Sequence, residues 1–274
     1  MIRLLDLEDA AYVACLDQQL KLHPDLYVSE HIHLHVFAKN TKLFQFWGVF
    51  ENEKLKGFIY HSPSRANLTT YYYENETAKA EISSFLEGLL KQKGMLMLTE
   101  VTLDGDAEQN LQLHASNLKL DRSSSFIRHD LNQKNDFALT FRSTEAAPEN
   151  IPALAELLKH APVGEEVFPH EEAFLRLVIL LGKVYIIQEG DSVVSMAGTS
   201  IMSDEAAIVD FLCTSKLHRG QGFNFDCFSH LISELVREKR QLYAYAVRPG
   251  VLRMFYDVGF KKIGTIRFRV LTAA

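Results

Sequence analysis

Residues 217–224 read "LHRGQGFN", two glycines around a glutamine with Arg219 just before them. They stand between an apolar run, "IVDFLCT" (208–214), and a long amphipathic one, "FNFDCFSHLISELVREK" (223–239). The first reads as a strand. The second carries Phe228, Leu231, Ile232 and Leu235 at helical spacing, on one face of a helix. Glycine lowers helix stability, so two of them at a helix start call for another reason. A strand, a Gly-rich turn and a helix form a generic anion site. The first helical N–H groups have no intrahelical partner, the helix dipole is positive there, and no Cβ bars the approach of a phosphate. Arg219 adds a charge-assisted contact.

Around this segment, "FALTFRS" (137–143) reads as a strand, and 148–162 and 170–182 as helices closed by Pro162 and Gly182. Residues 183–215 read as three strands turning at Glu189-Gly190-Asp191 and at Ser203-Asp204-Glu205. After the amphipathic helix come a strand, "QLYAYAV" (241–247), a short helix (250–258) and closing strands (260–272). The first half runs in nearly the same order: strand "MIRLL", helices over 7–20 and 28–39, and a hairpin turning at Glu51-Asn52-Glu53. Strand "NLTTYYY", a helix over 76–94, strand "MLMLTEV", a weak helix and strand "SSFIRHDL" follow. The two hairpin turns lie about 138 residues apart, half the chain, as a tandem duplication would place them. The polar stretch "NQKND" (132–136) divides the chain into domains 1–133 and 137–274. Subtracting the same offset from the glycine loop lands on "EISSFL" (81–86), which has no glycine, so only the second half is expected to bind the anion.

The composition suits this plan. The 274 residues fit two domains of ordinary size, and 47% hydrophobic with 23% charged residues is a globular balance. A net charge of −6 argues against a nucleic-acid surface. No apolar run reaches the length of a membrane span, and the start has no basic segment followed by an apolar one, so neither a membrane anchor nor a signal peptide is expected. Cys15, Cys213 and Cys227 form no CxxC pair, which suits a reducing, cytoplasmic setting.

Other phosphate loops fail on spacing. A dinucleotide GxGxxG needs glycine where the chain has Phe225, and no GK[ST] occurs for a Walker loop. What matches is Arg-x-x-Gly-x-(Gly/Ala), read at Arg219, Gly222 and Asn224. This segment resembles the pyrophosphate loop of the GNAT family of acetyl-CoA-dependent N-acyltransferases. The likeness extends to "IVDFLCT", in the place of the family's splayed strand, and to "VLRMFYDVGF" (251–260), which looks like the closing helix ending in Tyr-x-x-x-Gly-Phe at Tyr256, Gly259 and Phe260. Asn224 departs from the family's small residue, and Pro249 from an asparagine found in many relatives. The resemblance covers 137–272 by motif and the first half by element order. It implies an α/β protein of α+β type, made of two tandem GNAT-like domains, each a mixed, mostly antiparallel twisted sheet flanked by helices.

The resemblance also implies a reaction: direct transfer of acetyl from acetyl-CoA to a primary amine, most simply of a small-molecule acceptor held in a cleft shaped partly by the first half. The cosubstrate would lie along Leu212, Cys213 and Thr214 of the splayed strand and on the backbone amides of Gly220, Gln221, Gly222, Phe223 and Asn224, with Arg219 beside them. A strand N–H near Cys213 would hold the oxyanion. Tyr256 takes the family's general-acid position, protonating the leaving thiolate. Asp210, on the strand, or Glu205, at its start, would take the amine proton directly or through water. Arg248 and Arg253 flank the short helix and could meet phosphates or an acidic substrate. The alternative is a non-catalytic tandem that binds or senses acyl-CoA. A monomer or a homodimer fits equally.

"HIHLH" gives His31, His33 and His35. On a strand all three share a face; on a helix His31 and His35 do. No cysteine or acidic partner stands at clear ligand spacing, so no metal is expected and a place lining the cleft is preferred. "FPHEEAF" is not a zincin HExxH motif, because Phe174 takes the place of the second histidine.

Overall fold

A computed structural model describes residues 1–37, 44–63, 67–105, 111, 113–114, 116–132, 140–160, 171–246 and 248–273. In chain order the elements are β1 (Ile2–Leu4), α1 (Ala10–Leu22), α2 (Val28–Phe37), β2 (Gln45–Glu51), β3 (Lys54–Ser62), β4 (Leu68–Tyr73), α3 (Glu76–Lys93), β5 (Met95–Leu103) and β6 (Ser116–His129). Then follow β7 (Thr144–Glu145), α4 (Ile151–His160), α5 (Glu172–Leu181), β8 (Val184–Glu189), β9 (Ser192–Met202), β10 (Ala206–Thr214), α6 (Phe223–Arg237), β11 (Gln241–Ala246), α7 (Pro249–Asp257) and β12 (Phe260–Ala273).

The chain forms two compact units. One comprises Met1–Phe126 with Ile263–Ala274, the other Ile127–Lys262. The last part of the closing strand thus groups with the first unit, where Gly264–Thr272 pair antiparallel with β5.

In the first unit β1, β2, β3 and β4 pair antiparallel in sequence order, and β4 pairs parallel with β5. The β2–β3 turn takes Asn52 and Glu53 at positive φ, the conformation that closes a tight hairpin. One face of the sheet packs on α3 through Val49, Ile59, Ile82, Leu86, Leu90 and Leu98. The other buries Leu16 and Leu20 of α1 and Leu34 of α2 with Phe46, Phe58 and Tyr60.

The second unit repeats the plan. β7, β8, β9 and β10 pair antiparallel in order, and β10 pairs parallel with β11. One face packs on α6 and α7, where Cys227, Phe228, Leu231, Ile232 and Leu235 are fully buried. This is the apolar face read from their spacing. The other face packs on α4 and α5 through Leu154, Leu158, Leu175 and Val178.

The strand expected over 137–143 is not found in its described part. Arg142 and Ser143 instead give their N–H groups to the Asp226 carboxylate at 3.1 and 3.0 Å, and the strand is the short β7 beyond them. Its first three residues lie outside the described ones. So do the ends expected for the helices at 38–39 and 161–162, Val247, part of the stretch between "MLMLTEV" and "SSFIRHDL" where a weak helix is expected, and the start of "FPHEEAF".

Candidate active site

β10 and β11 run together only briefly. Ala206–Val209 pair with Gln241–Ala244, and beyond Val209 the two strands part. On its other side β10 stays paired with β9 as far as Thr214. The β10–β11 ladder therefore ends at Val209–Ala244, five residues before the end of β10. Ser215 donates to the Val194 carbonyl on β9 at 2.9 Å. Antiparallel pairing alternates, so Cys213 turns its peptide groups toward β9 while Leu212 and Thr214 turn theirs to the β11 side. The strand N–H groups on the β11 side thus belong to the neighbours of Cys213 rather than to Cys213 itself.

A bulge lies at the mouth of this wedge. The pairing with β9 jumps from Val209–Thr199 to Phe211–Gly198 and leaves Asp210 between them. Strict alternation would put Val209 and Leu212 on opposite faces. The bulge puts both toward α6 and turns Phe211 and Cys213 toward α4 and α5. Asp210 is half-buried at the bulge. Glu205 is exposed in the turn before β10, at the opposite end from the glycine loop. The strand rise of about 3.3 Å per residue puts it roughly 30 Å from Thr214. The structure does not bring it to the loop.

The loop Ser215–Gly222 leads into α6. Gly220 and Gly222 both have φ of 79°, the left-handed region that strains any residue with a Cβ. A Cβ at either would meet open space, so conformation rather than crowding selects glycine. Gly222 is the N-cap of α6 and offers no side-chain acceptor. Asp226 is the first helical residue whose N–H bonds back, to the Gly222 carbonyl at 3.0 Å. No acceptor among the described residues meets the N–H groups of Phe223, Asn224 or Phe225. Arg219 ties the loop to the end of β10 through Nε and the Thr214 carbonyl at 3.3 Å. Gln221 closes the turn onto the Leu217 carbonyl at 3.4 Å. Phe223 is buried beneath the loop.

Asn224, where the resemblance expects a small residue, has a visible role. Its Nδ2 donates to the Met196 carbonyl at 3.2 Å and the Cys213 carbonyl at 3.5 Å. The side chain turns back onto β9 and β10 and leaves the outer side of the loop clear. Sequence reading missed this strap; a polar residue at a helix start usually signals a cap.

α7 carries Tyr256. Phe255 is buried against Phe228 and Phe260, each at 4.8 Å between ring centroids, while its neighbour Tyr256 is 40% exposed. Pro249 opens this helix at its first turn, where its missing N–H costs nothing. Cys227 is fully buried under the wedge, and burial pushes its thiol up to about 12. It stays protonated and is no nucleophile.

The first unit is built differently at the equivalent place. Only Glu74 and Asn75 lie between β4 and α3, against the eight residues Ser215–Gly222 between β10 and α6. "EISSFL" is therefore the interior of α3 and not a degenerate loop. The loop is missing, and the offset between the two helix starts is larger than that between the hairpins. Asn75 caps α3, accepting from the Ala78 N–H at 2.8 Å. The β4–β5 pairing also ends early, at Thr70–Thr99. There Tyr71, Glu100 and Arg269 fill the space, bonded to one another and to Leu111.

No family model and no curated protein matches the chain. Solved structures do. A tandem GNAT protein from the clavulanic acid biosynthesis pathway is 12% identical with a TM-score of 0.70, over 100% of this chain and 98% of that one. A GCN5-related N-acetyltransferase from Sphaerobacter thermophilus is 11% identical with a TM-score of 0.66, over 98% and 94%. A GNAT-family acetyltransferase from Colwellia psychrerythraea is 14% identical with a TM-score of 0.60, over 98% and 99%. At such identities the likeness is one of fold, and it spans the whole length of the chain: this protein has the tandem GNAT fold.

Proposed function

We propose that the second unit is an acetyl-CoA-dependent N-acetyltransferase acting directly on the primary amine of a small-molecule acceptor. The observation that carries this reading is the early end of the β10–β11 ladder beside a helix start whose N–H groups at Phe223, Asn224 and Phe225 meet no acceptor among the described residues. An extended amide chain that ends in a pyrophosphate needs both. The N–H groups of Phe223, Asn224 and Phe225 and the positive end of α6 suit the pyrophosphate. The peptide groups of Leu212 and Thr214 suit the pantetheine amides. The acetyltransferases among the fold neighbours support the same reading.

In the reaction, the amine nitrogen bonds to the thioester carbonyl carbon, and the carbon–sulfur bond then breaks. A strand N–H at Leu212 holds the oxyanion. Tyr256 gives its phenolic proton to the departing thiolate, and Asp210 takes the proton from the amine. Cys213, the cysteine of the strand, is buried toward α4 and α5, which favours direct transfer over an acyl-enzyme. A cavity of about 790 Å³ lies beside the loop, with Glu149, Glu156 and Asp191 against Lys216 in its lining. Asp210, Leu212 and Tyr256 do not line it, so it lies apart from the place where the amine meets the thioester. No disulfide joins any of the three cysteines, and no helix among the described residues is long and apolar enough to cross a membrane. The proposed setting is the cytoplasm, as monomer or homodimer.

Glu205 is exposed at the far end of β10, which leaves Asp210 to take the amine proton; without that proton transfer the second reading holds, in which the protein binds acyl-CoA without turning it over. One experiment separates the two. Acetyl-CoA is titrated by calorimetry, and a panel of amines is then assayed for free thiol. Binding with thiol release supports the transferase. Binding with no release from any amine supports the sensor. No binding overturns both.

A further inference from the structure

We propose that the first unit carries a binding site for a divalent transition metal of the zinc class, formed by Asp17, His31 and His35. Sequence spacing alone offered the histidines without an acidic partner. The fold supplies it, because α1 packs beside α2 and brings Asp17 to them. His31 and His35 stand one turn apart on α2 and share a face. Both direct Nε2 at the same atom, Asp17 Oδ1, at 3.0 and 2.8 Å. All three ligand atoms lie within 4.8 Å of one another. The two rings are 4.5 Å apart between centroids at 64°. His33 takes no part. It is buried on the far side of α2, where Nδ1 meets the Ser29 carbonyl at 2.6 Å and the ring packs on Phe44 and Tyr60.

Ligand chemistry selects the metal. Two imidazoles and one carboxylate suit zinc, cobalt or nickel; magnesium and calcium want an all-oxygen shell. Metal–ligand bonds of about 2.0–2.1 Å in a tetrahedron place ligand atoms about 3.3 Å apart. The two histidine–aspartate separations need to open by only a few tenths of an ångström, and the two histidine nitrogens, within 4.8 Å of each other, come to the same spacing by side-chain rotation. The site has an inside and an outside: the side chains of His31 and Asp17 are 15% and 22% exposed, and that of His35 is 43% exposed. Three protein ligands leave the remaining position to water, on the open side. Lys21 holds the other carboxylate oxygen, Oδ2, at 2.8 Å. It orients the carboxylate and leaves Oδ1 toward the histidines. An ion bound there would clamp α1 to α2.

The full-length protein, freed of metal with a chelator, is titrated with zinc by calorimetry. The expected result is one ion per chain with a dissociation constant of about 1 µM or below. Cobalt should give the intense visible absorption of a four-coordinate site, and excess magnesium should not compete. His35→Ala, His31→Ala and Asp17→Asn should each weaken zinc at least tenfold, and Lys21→Gln should retain binding. His35 is the most exposed of the three ligands, so His35→Ala tests the site even if another variant misfolds; circular dichroism checks each fold. Absence of zinc binding below about 100 µM overturns the proposal. So does a bound zinc whose affinity the His35 and Asp17 variants leave unchanged, which would place it on other histidines.

Discussion

Gly222 combines two demands at one position. Its φ of 79° is costly for any other residue by about 1–2 kcal/mol, and it caps a helix whose first donors face outward. Gly222→Ala should therefore lower acetyl-CoA affinity modestly, by distorting the turn. Gly222→Glu adds bulk and a negative charge beside the phosphates and should weaken binding tenfold or more in calorimetry. Equal affinity in wild type and Gly222→Glu would remove the phosphate role. Tyr256 is tested by turnover instead. An exposed phenol next to a buried Phe255 contributes little packing, so Tyr256→Phe should fold normally and bind acetyl-CoA with unchanged affinity. The proposed role as the thiolate's proton donor predicts that its loss cuts kcat by about 10²-fold or more. A kcat within twofold of wild type would make Tyr256 a bystander.

The two strand–helix junctions show how the same fold is either opened or filled. In the second unit a long loop, two left-handed glycines and a helix start without a side-chain cap leave N–H donors that no acceptor among the described residues meets. In the first, Asn75 takes up a donor of α3, and Tyr71, Glu100 and Arg269 occupy the wedge between β4 and β5. One acetyl-CoA per chain is the expected stoichiometry, and a measured value of two would mean that the first unit's network opens. Much of this junction was legible in the chain. The apolar spacing of Phe228, Leu231, Ile232 and Leu235 marked α6, the glycines marked its start, and "IVDFLCT" marked the strand. The bulge at Asp210 was not legible, because nothing in the residue types distinguishes an inserted residue from an alternating one. The missing loop was also hidden. A constant offset between halves assumes equal connections, and the chain shortens this one. The pairing of Asp17 with His31 and His35 depends on how two helices pack, which spacing along the chain does not encode.

At the scale of the whole molecule, the closing strand makes the first unit depend on the last residues of the chain. Arg269 lies on β12, and its guanidinium meets the Glu100 carboxylate on β5 with both side chains below 10% exposed. Nε donates to Oε2 at 2.9 Å, and Nη2 also reaches the Leu111 carbonyl at 2.9 Å. Tyr71 gives its hydroxyl to the same carboxylate, and burial together with that negative charge pushes its phenol well above the ordinary range, so it remains a donor. Arg269→Met would leave Glu100 buried with a neutral partner alone, a loss of about 3 kcal/mol or more. Trp47, the only tryptophan in the chain, reports on this unit. It packs on Phe85 of α3 at 5.1 Å, within the core that also holds Leu271 of β12. Urea unfolding followed by its fluorescence should therefore show a clearly lowered midpoint in Arg269→Met. Adding Glu100→Gln removes the stranded charge and should recover part of that shift. A midpoint equal to wild type in the single variant would show that the closing strand is held by its backbone ladder and apolar residues, with the ion pair contributing nothing to the first unit's stability.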